Sequence, residues 1–464
     1  MLDAAIFRRI RTAAGRFAGA NQGNIAVLFG IAAVPILTFV GAAIDYSRAN
    51  TARTAMQGAL DSTALMLAKD LAEGTIKTSD IDAKAQAYFS ALYTYNDAKS
   101  ITVSTTYTAS TSKGSTIQVN GSGLVTTSFM KVAGFPNINF NSSSTTAWGN
   151  VRMRVAMALD NTGSMAQDGK IGALRTAAAS LVDQLSALAK DPGDVYISVV
   201  PFAKDVNVGS SNYNQSWIDW TDWDAANGTC SSNWYNSQSS CLSAGKTWTA
   251  KNHNTWTGCV ADRTQPYDTQ STAPSLGNAP TLFPADEYYE NGQSYCKPGN
   301  NPPLQQIVPL SYDWSSIKAT INAMQPTGGT NQPIGIAWAW QSLQQTLPLN
   351  APSEDSNYTY KKALIVLSDG LNTEDRWPAY GNGQTQFGGQ IDARQKILCD
   401  NIKAQGVTIY AVQVNTGSPG DPTSAVLQYC ASGTDKFFLV TTASQTLTVF
   451  NSIGTSLSKL RVAK

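Results

Sequence analysis

The chain has 464 residues, enough for two or three domains with proper hydrophobic cores. Its 33 basic and 32 acidic residues nearly cancel, so the charge balance selects neither nucleic acid nor an acidic partner. Only 14% of residues are charged, against an average near ~25%, and the single histidine, His253, excludes metal or catalytic sites built on several imidazoles.

Ile25 to Ile44 is an uncharged run of about 20 residues; as a helix it spans ~30 Å, the hydrocarbon thickness of a bilayer. Arg8, Arg9, Arg11 and Arg16 precede it in a basic segment, 1–24. The positive-inside rule therefore predicts a cytoplasmic N-terminus, a transmembrane helix over 25–44 and an extracytoplasmic remainder. A cleavable signal peptide is the rival, with Gly41, Ala42 and Ala43 as the small residues, but its apolar core would run to only ~7–15 residues.

The helical period continues past the run. Met56, Leu60, Ala64, Leu67 and Leu71 recur at spacings of four and three, with Arg53, Asp61 and Lys69 between them. From about Ser100 the period becomes alternation, as in Ile101-Thr-Val103 and Ile117-Gln-Val119, in a stretch rich in Ser, Thr and Gly up to Asn150. A long helix followed by a small antiparallel sheet is a pilin-like α+β plan for 45–150; a coiled stalk with a linker fits the same pattern. Gly23-Asn-Ile-Ala-Val-Leu-Phe29, Pro35, Asp45-Tyr-Ser-Arg48 and the Ala-rich helix after them resemble the TadE/TadG-like segment of tight-adherence (Flp) pilus-assembly proteins. The resemblance implies a bacterial inner-membrane, single-pass location. Members processed like prepilins carry Glu five residues after the cleavage-site Gly; here that position is Leu28, so the anchor is expected to be retained.

From Val151 short apolar runs alternate with helical patterns: Val155–Leu159, then Lys170–Ala189, Tyr196–Val200, Ala363–Leu367 and Val407–Val412. This predicts an α/β fold, a doubly wound (Rossmann-like) parallel sheet over 151–464, with ligands gathering at the carboxyl ends of its strands. Three loops stand at those ends. They are Asp160-Asn-Thr162-Gly-Ser164, Thr327-Gly-Gly-Thr330 and Ser368-Asp369-Gly370. In this order they resemble the metal-ion-dependent adhesion site (MIDAS) of von Willebrand factor A (VWA) domains, which implies that Asp160, Thr162, Ser164, Thr330 and Asp369 hold a metal. The alternative is a VWA-like fold whose Asp and Ser residues only cap loops. Two carboxylates and three hydroxyls form a hard oxygen set suited to Mg²⁺ or Mn²⁺, with Ca²⁺ matched less well. One coordination position stays open for an acidic residue of a protein partner, and the TadE/TadG-like resemblance implies that partners are pilus or pilus-assembly components. Catalysis would need a positioned base, and none is evident. An envelope scaffold or sensor unrelated to pili, or less favourably a metal-assisted hydrolase, are the rival functions.

Ile197–Phe202 and Leu304–Leu310 read as arms of an edge hairpin separated by a long insertion, 208–303. It holds Trp217, Trp220, Trp223, Trp234, Trp248 and Trp256 and is poor in aliphatic residues, which predicts a segment held by disulfides rather than by an ordinary core. Its tryptophans fit a recognition surface or internal packing equally. The six cysteines include no Cys-x-x-Cys pair and fit disulfides outside the cytoplasm. Cys399 and Cys430 flank one strand and are expected to pair. Four cysteines in the insertion allow three connectivities; short loops favour Cys230–Cys241 and Cys259–Cys296.

Overall fold

The computed structural model describes residues 12, 24–73, 75–109, 114–148, 151–287, 289–290, 293–296, 303–356, 358–381, 389–417 and 421–462. Arg8, Arg9, Arg11 and Arg16 lie outside them. The chain divides into two compact units, Met1–Gly149 and Asn150–Ala463.

In the first unit, α1 (Asn24–Glu73) is a single helix of 50 residues, so the apolar run and the amphipathic stretch are continuous. Met56, Leu60, Ala64 and Leu67 are fully buried and Leu71 packs beside them. They close on α2 (Ile81–Leu92) and on a three-stranded antiparallel sheet, β1 (Ala98–Thr108), β2 (Ser115–Thr126) and β3 (Asn137–Trp148). The alternation at Ile117 and Val119 turns both into this core. Leu28, Phe29, Ile31, Val34, Ile36, Leu37 and Phe39 are exposed instead. A helix apolar all round without protein cover is a candidate membrane anchor.

Asp45 is the first charge after the apolar run and is fully buried. It accepts from the N–H groups of Ser128 (2.9 Å), Phe129 (2.8 Å) and Met130 (2.8 Å). Burial pushes its carboxyl up, but the three donors and the Arg48 guanidinium outweigh that and hold it below the usual range. Asp45→Ala would orphan all three donors. The expected cost is about 2 kcal/mol, seen as roughly 30-fold faster amide exchange at 128–130 in the full chain; unchanged exchange there would refute the role.

The second unit is built on β4 (Val151–Asp160), β5 (Val195–Phe202), β6 (Val308–Ser311), β7 (Thr359–Ser368), β8 (Thr408–Val414) and β9 (Phe437–Val440). Their order is β6-β5-β4-β7-β8-β9, with β6 antiparallel to β5 and every other pair parallel. This is a doubly wound VWA-type sheet. One face carries α3 (Lys170–Ser186), α4 (Trp314–Ala323) and the C-terminal helix Ala443–Val462, packed through Leu174, Leu181, Ile317, Ile321 and Phe450. The other carries α5 (Gln332–Ser342), α6 (Gly389–Ala404) and α7 (Ala425–Cys430), packed through Ile334, Trp338, Leu398 and Leu427. Covered on both faces, β4 and β7 carry apolar residues in succession over Val155–Leu159 and Ala363–Leu367 instead of alternating.

The insertion differs from the expectation of a segment without an ordinary core. Short strands Val206–Asn207, Cys259–Val260, Phe283–Asp286 and Ile218–Asp219 carry the main sheet outward beyond β5. Trp217, Trp223 and Trp256 are buried in the same core as Trp338 of α5. Large indole surfaces supply what the scarce aliphatic residues do not. Trp234, 91% exposed, is the insertion tryptophan left open to solvent. Disulfides join Cys230–Cys241, Cys259–Cys296 and Cys399–Cys430. His253 stacks on Trp220 at 3.8 Å, its Nε2 lying 2.8 Å from Asp224.

Candidate functional site

Chain growth reverses direction between β4 and β7, and the crevice above their carboxyl ends is where such sheets bind ligands. Asp160 ends β4 and Ser368 ends β7, with Asp369 next in sequence. Both aspartates are buried, at 0% and 1% exposure.

Four of the five expected residues lie together, as two hydrogen-bonded pairs whose hydroxyls touch. Asp160 Oδ1 accepts from the N–H (2.8 Å) and hydroxyl (2.5 Å) of Thr162. Thr162 Oγ1 lies 3.1 Å from Ser164 Oγ, which donates to Asp369 Oδ1 at 2.8 Å. Thr330, also buried, is bonded through its backbone to the stretch after the third loop and not to the other four. Its N–H donates to Thr373 Oγ1, and its carbonyl accepts from the N–H groups of Thr373 and Glu374. The loops are further tied by Gly163 N–H to the Gly328 carbonyl (2.9 Å) and Thr327 N–H to the Asn161 carbonyl (2.7 Å). Gly328 takes φ +72°, so the second loop favours glycine there, and Gly329 lets the Glu374 carboxylate lie close to the loop backbone.

Three further residues complete the cluster. Ser368 Oγ donates to Asp160 Oδ2 (2.6 Å), and Gln332 Nε2 donates to Ser368 Oγ (3.1 Å) and the Gly370 carbonyl (3.0 Å). Lys170, buried at the first position of α3, donates its Nζ to Asp369 Oδ2 at 2.7 Å. A signal for Lys170 existed in the sequence: a cation opening a helix opposes the helix dipole and needs another reason to be there. Ser368 and Gln332 carried none, because both read as ordinary strand-end and helix-start residues.

Burial, and then the Asp369 charge, push the Asp160 carboxyl up to about 7 against the pull of its hydroxyl donors. Two carboxyls here face one ammonium, so ionising both places a net negative charge out of water, which is what burial resists and a cation would relieve. An all-oxygen donor set with an excess of buried negative charge fits a divalent cation. A second grouping does not. Asp205, Cys259 and Cys296 place ligand atoms within 4.8 Å of one another, but the two sulfurs are bonded together and offer no thiolate.

The insertion leaves the sheet beside these loops. The Phe202 carbonyl accepts from Asn161 N–H, and Asn331, which caps α5, donates its side-chain amide to the Lys204 carbonyl and to Asp262. Arg376, past the third loop, reaches the Asp262 carbonyl (3.0 Å) and Asp222 (2.8 Å). The insertion thus buttresses the three loops and is braced by them.

Residues 23–68 match the family described as putative Flp pilus-assembly TadE/G-like; the N-terminal segment is TadE/G-like. No curated protein matches the chain in sequence. Among solved structures it is similar to the vWF domain of the type V pili tip protein Mfa5 from Porphyromonas gingivalis. That match has 10% identity, covers 67% of this chain and 96% of that one, and has a TM-score of 0.35. The pilus adhesin SpaC from Lactobacillus rhamnosus GG matches at 12% identity, over 78% of this chain and 35% of that one, with a TM-score of 0.36. Proximal thread matrix protein 1 of the mussel byssus, in a form with a zinc-occupied MIDAS motif, matches at 13% identity, over 66% and 46%, with a TM-score of 0.32. The chain spans less than half the length of the SpaC and mussel chains.

Proposed function

We propose that this is a membrane-anchored, extracytoplasmic protein of tight-adherence (Flp) pilus assembly or adhesion, gripping a partner's acidic residue through a divalent cation. The observation that carries the reading is the convergence of Asp160 and Asp369 through a chain of hydroxyls at the switch point of the sheet. In this reading segment 1–24 is cytoplasmic, 25–44 spans a bacterial inner membrane and 45–150 is a pilin-like stalk. Residues 151–464 are the VWA domain, interrupted by the insertion 208–303.

Asp160, Thr162, Ser164, Thr330 and Asp369 would hold Mg²⁺ or Mn²⁺. The ion would supply the attraction for a partner's carboxylate; the protein would orient it, because Asp160 is already fixed by hydroxyl and backbone donors and Asp369 by the Ser164 hydroxyl and the Lys170 ammonium. The role is binding, not catalysis. The one histidine is engaged with Trp220 and Asp224 inside the insertion. Crosslinking in cells, with and without a chelator, tests the reading: an acidic pilus component captured only with metal supports it. A deletion strain with normal pilus number would favour an envelope scaffold instead.

Lys170 gives an independent handle. Lys170→Met leaves two buried carboxylates with no cation, and losing one partner of a buried pair costs about 3–5 kcal/mol. In EDTA the variant should melt well below the parent, and added Mg²⁺ should raise its melting temperature by more than it raises the parent's. Equal responses in both proteins would argue against an ion at this place.

A further inference from the structure

The loop 128–135, between β2 and β3, carries a cluster of exposed apolar side chains: Phe129 at 48%, Val132 at 92% and Phe135 at 61% exposure. A water-facing loop seldom concentrates three such residues. Its position explains them. The loop lies against α1 at Gly41, where a Cβ would fall 2.5 Å from the Phe129 side chain, so only glycine admits the contact. Gly41 lies inside the uncharged run, about 6 Å along the helix from Asp45. The loop therefore sits at the level where the apolar helix meets its first charged residue.

Its backbone is prepared for a poorly hydrated setting. Asp45 takes the N–H groups of Ser128, Phe129 and Met130, while those of Val132, Gly134 and Phe135 bond to the carbonyls of Phe129, Lys131 and Met130. Thr127 closes the base, its N–H to the Pro136 carbonyl and its hydroxyl to the Phe135 carbonyl. Gly134 at φ +92° allows the tight return. With these donors satisfied internally, entering the headgroup region carries little backbone desolvation cost. Lys131 stands exposed among the apolar residues, suited to lipid phosphates. Arg48 fastens the loop to the helix through Ser128 and Asp45.

We propose that loop 128–135 is a second membrane contact, inserting Phe129, Val132 and Phe135 into the lipid interface on the extracytoplasmic side and fixing the tilt of α1 there. This rests on the reading of α1 as a membrane span, and the test separates the two. The full-length protein in nanodiscs of phosphatidylethanolamine and phosphatidylglycerol receives one added cysteine at a time, V34C, V132C or T106C. Each is spin-labelled and probed with oxygen, which favours lipid, and with a water-soluble nickel chelate. Val34 reports the span and Thr106, exposed on β1, reports solvent. Oxygen should exceed nickel accessibility at positions 34 and 132, with the reverse at 106. Nickel dominance at 132 with oxygen dominance at 34 would overturn the loop insertion and leave the anchor standing, the apolar patch then facing a protein. Nickel dominance at both would overturn loop and anchor together.

Discussion

Asp160→Ala is expected to abolish divalent-cation uptake, with the fold retained. Asp160 supplies one of two carboxyls at the site and organises the first loop, its Oδ1 holding the N–H and hydroxyl of Thr162 and its Oδ2 holding Ser368. Losing an outer-sphere partner of a metal typically costs roughly 10–100-fold in affinity, and loss of a charged inner ligand should exceed that. Ser164→Ala removes a neutral oxygen and should cost less. The fold should survive because the strands around the site are held by apolar packing, and burial already disfavours the charged form of Asp160. Isothermal titration with Mg²⁺ or Mn²⁺, alongside far-UV circular dichroism, measures both halves. An Asp160→Ala protein that bound the ion, or its partner in EDTA, as the parent does would end the adhesion-site reading.

The second large effect is expected from the disulfide between α6 and α7. Cys399 and Cys430 are 31 residues apart, fully buried, and bridge the two helices that flank β8 on one face. Closing a loop of that length restricts the unfolded chain by about 3–4 kcal/mol at 25 °C. Replacing both cysteines with alanine should lower the unfolding free energy of the second unit by about that amount in denaturant titration. Reduction by dithiothreitol should match it only once the protein opens, because both sulfurs are out of solvent. A double variant as stable as its parent would show the bridge to be energetically idle.

The sequence by itself determined most of the framework, since local chemistry dictates it. The apolar run and the 3–4 spacing of Met56 to Leu71 fix α1, because a helix must place those residues on one side. Unbroken apolar strands such as Ala363–Leu367 announce a sheet covered on both faces. The first and third loops of the candidate site stood out because Asp160 and Ser368-Asp369 fall at the ends of such strands, whereas Thr327–Thr330 follows a helix and was singled out by the family resemblance. What the tertiary structure decided is everything that depends on chain segments far apart. Lys170 reaches Asp369 from the start of α3, and Ser368 reaches Asp160 across the switch point. The tryptophans of the insertion found their place only when the sheet was extended outward beside α5; composition suggested a segment without a core because it counts aliphatic residues and cannot see which neighbouring surface is available to share. Asp45 likewise stood in the sequence only as part of the Asp45-Tyr-Ser-Arg48 motif. Its partners at Ser128–Met130 lie over eighty positions away, and no local pattern encodes a carboxylate whose donors are backbone groups, since every residue but proline has one.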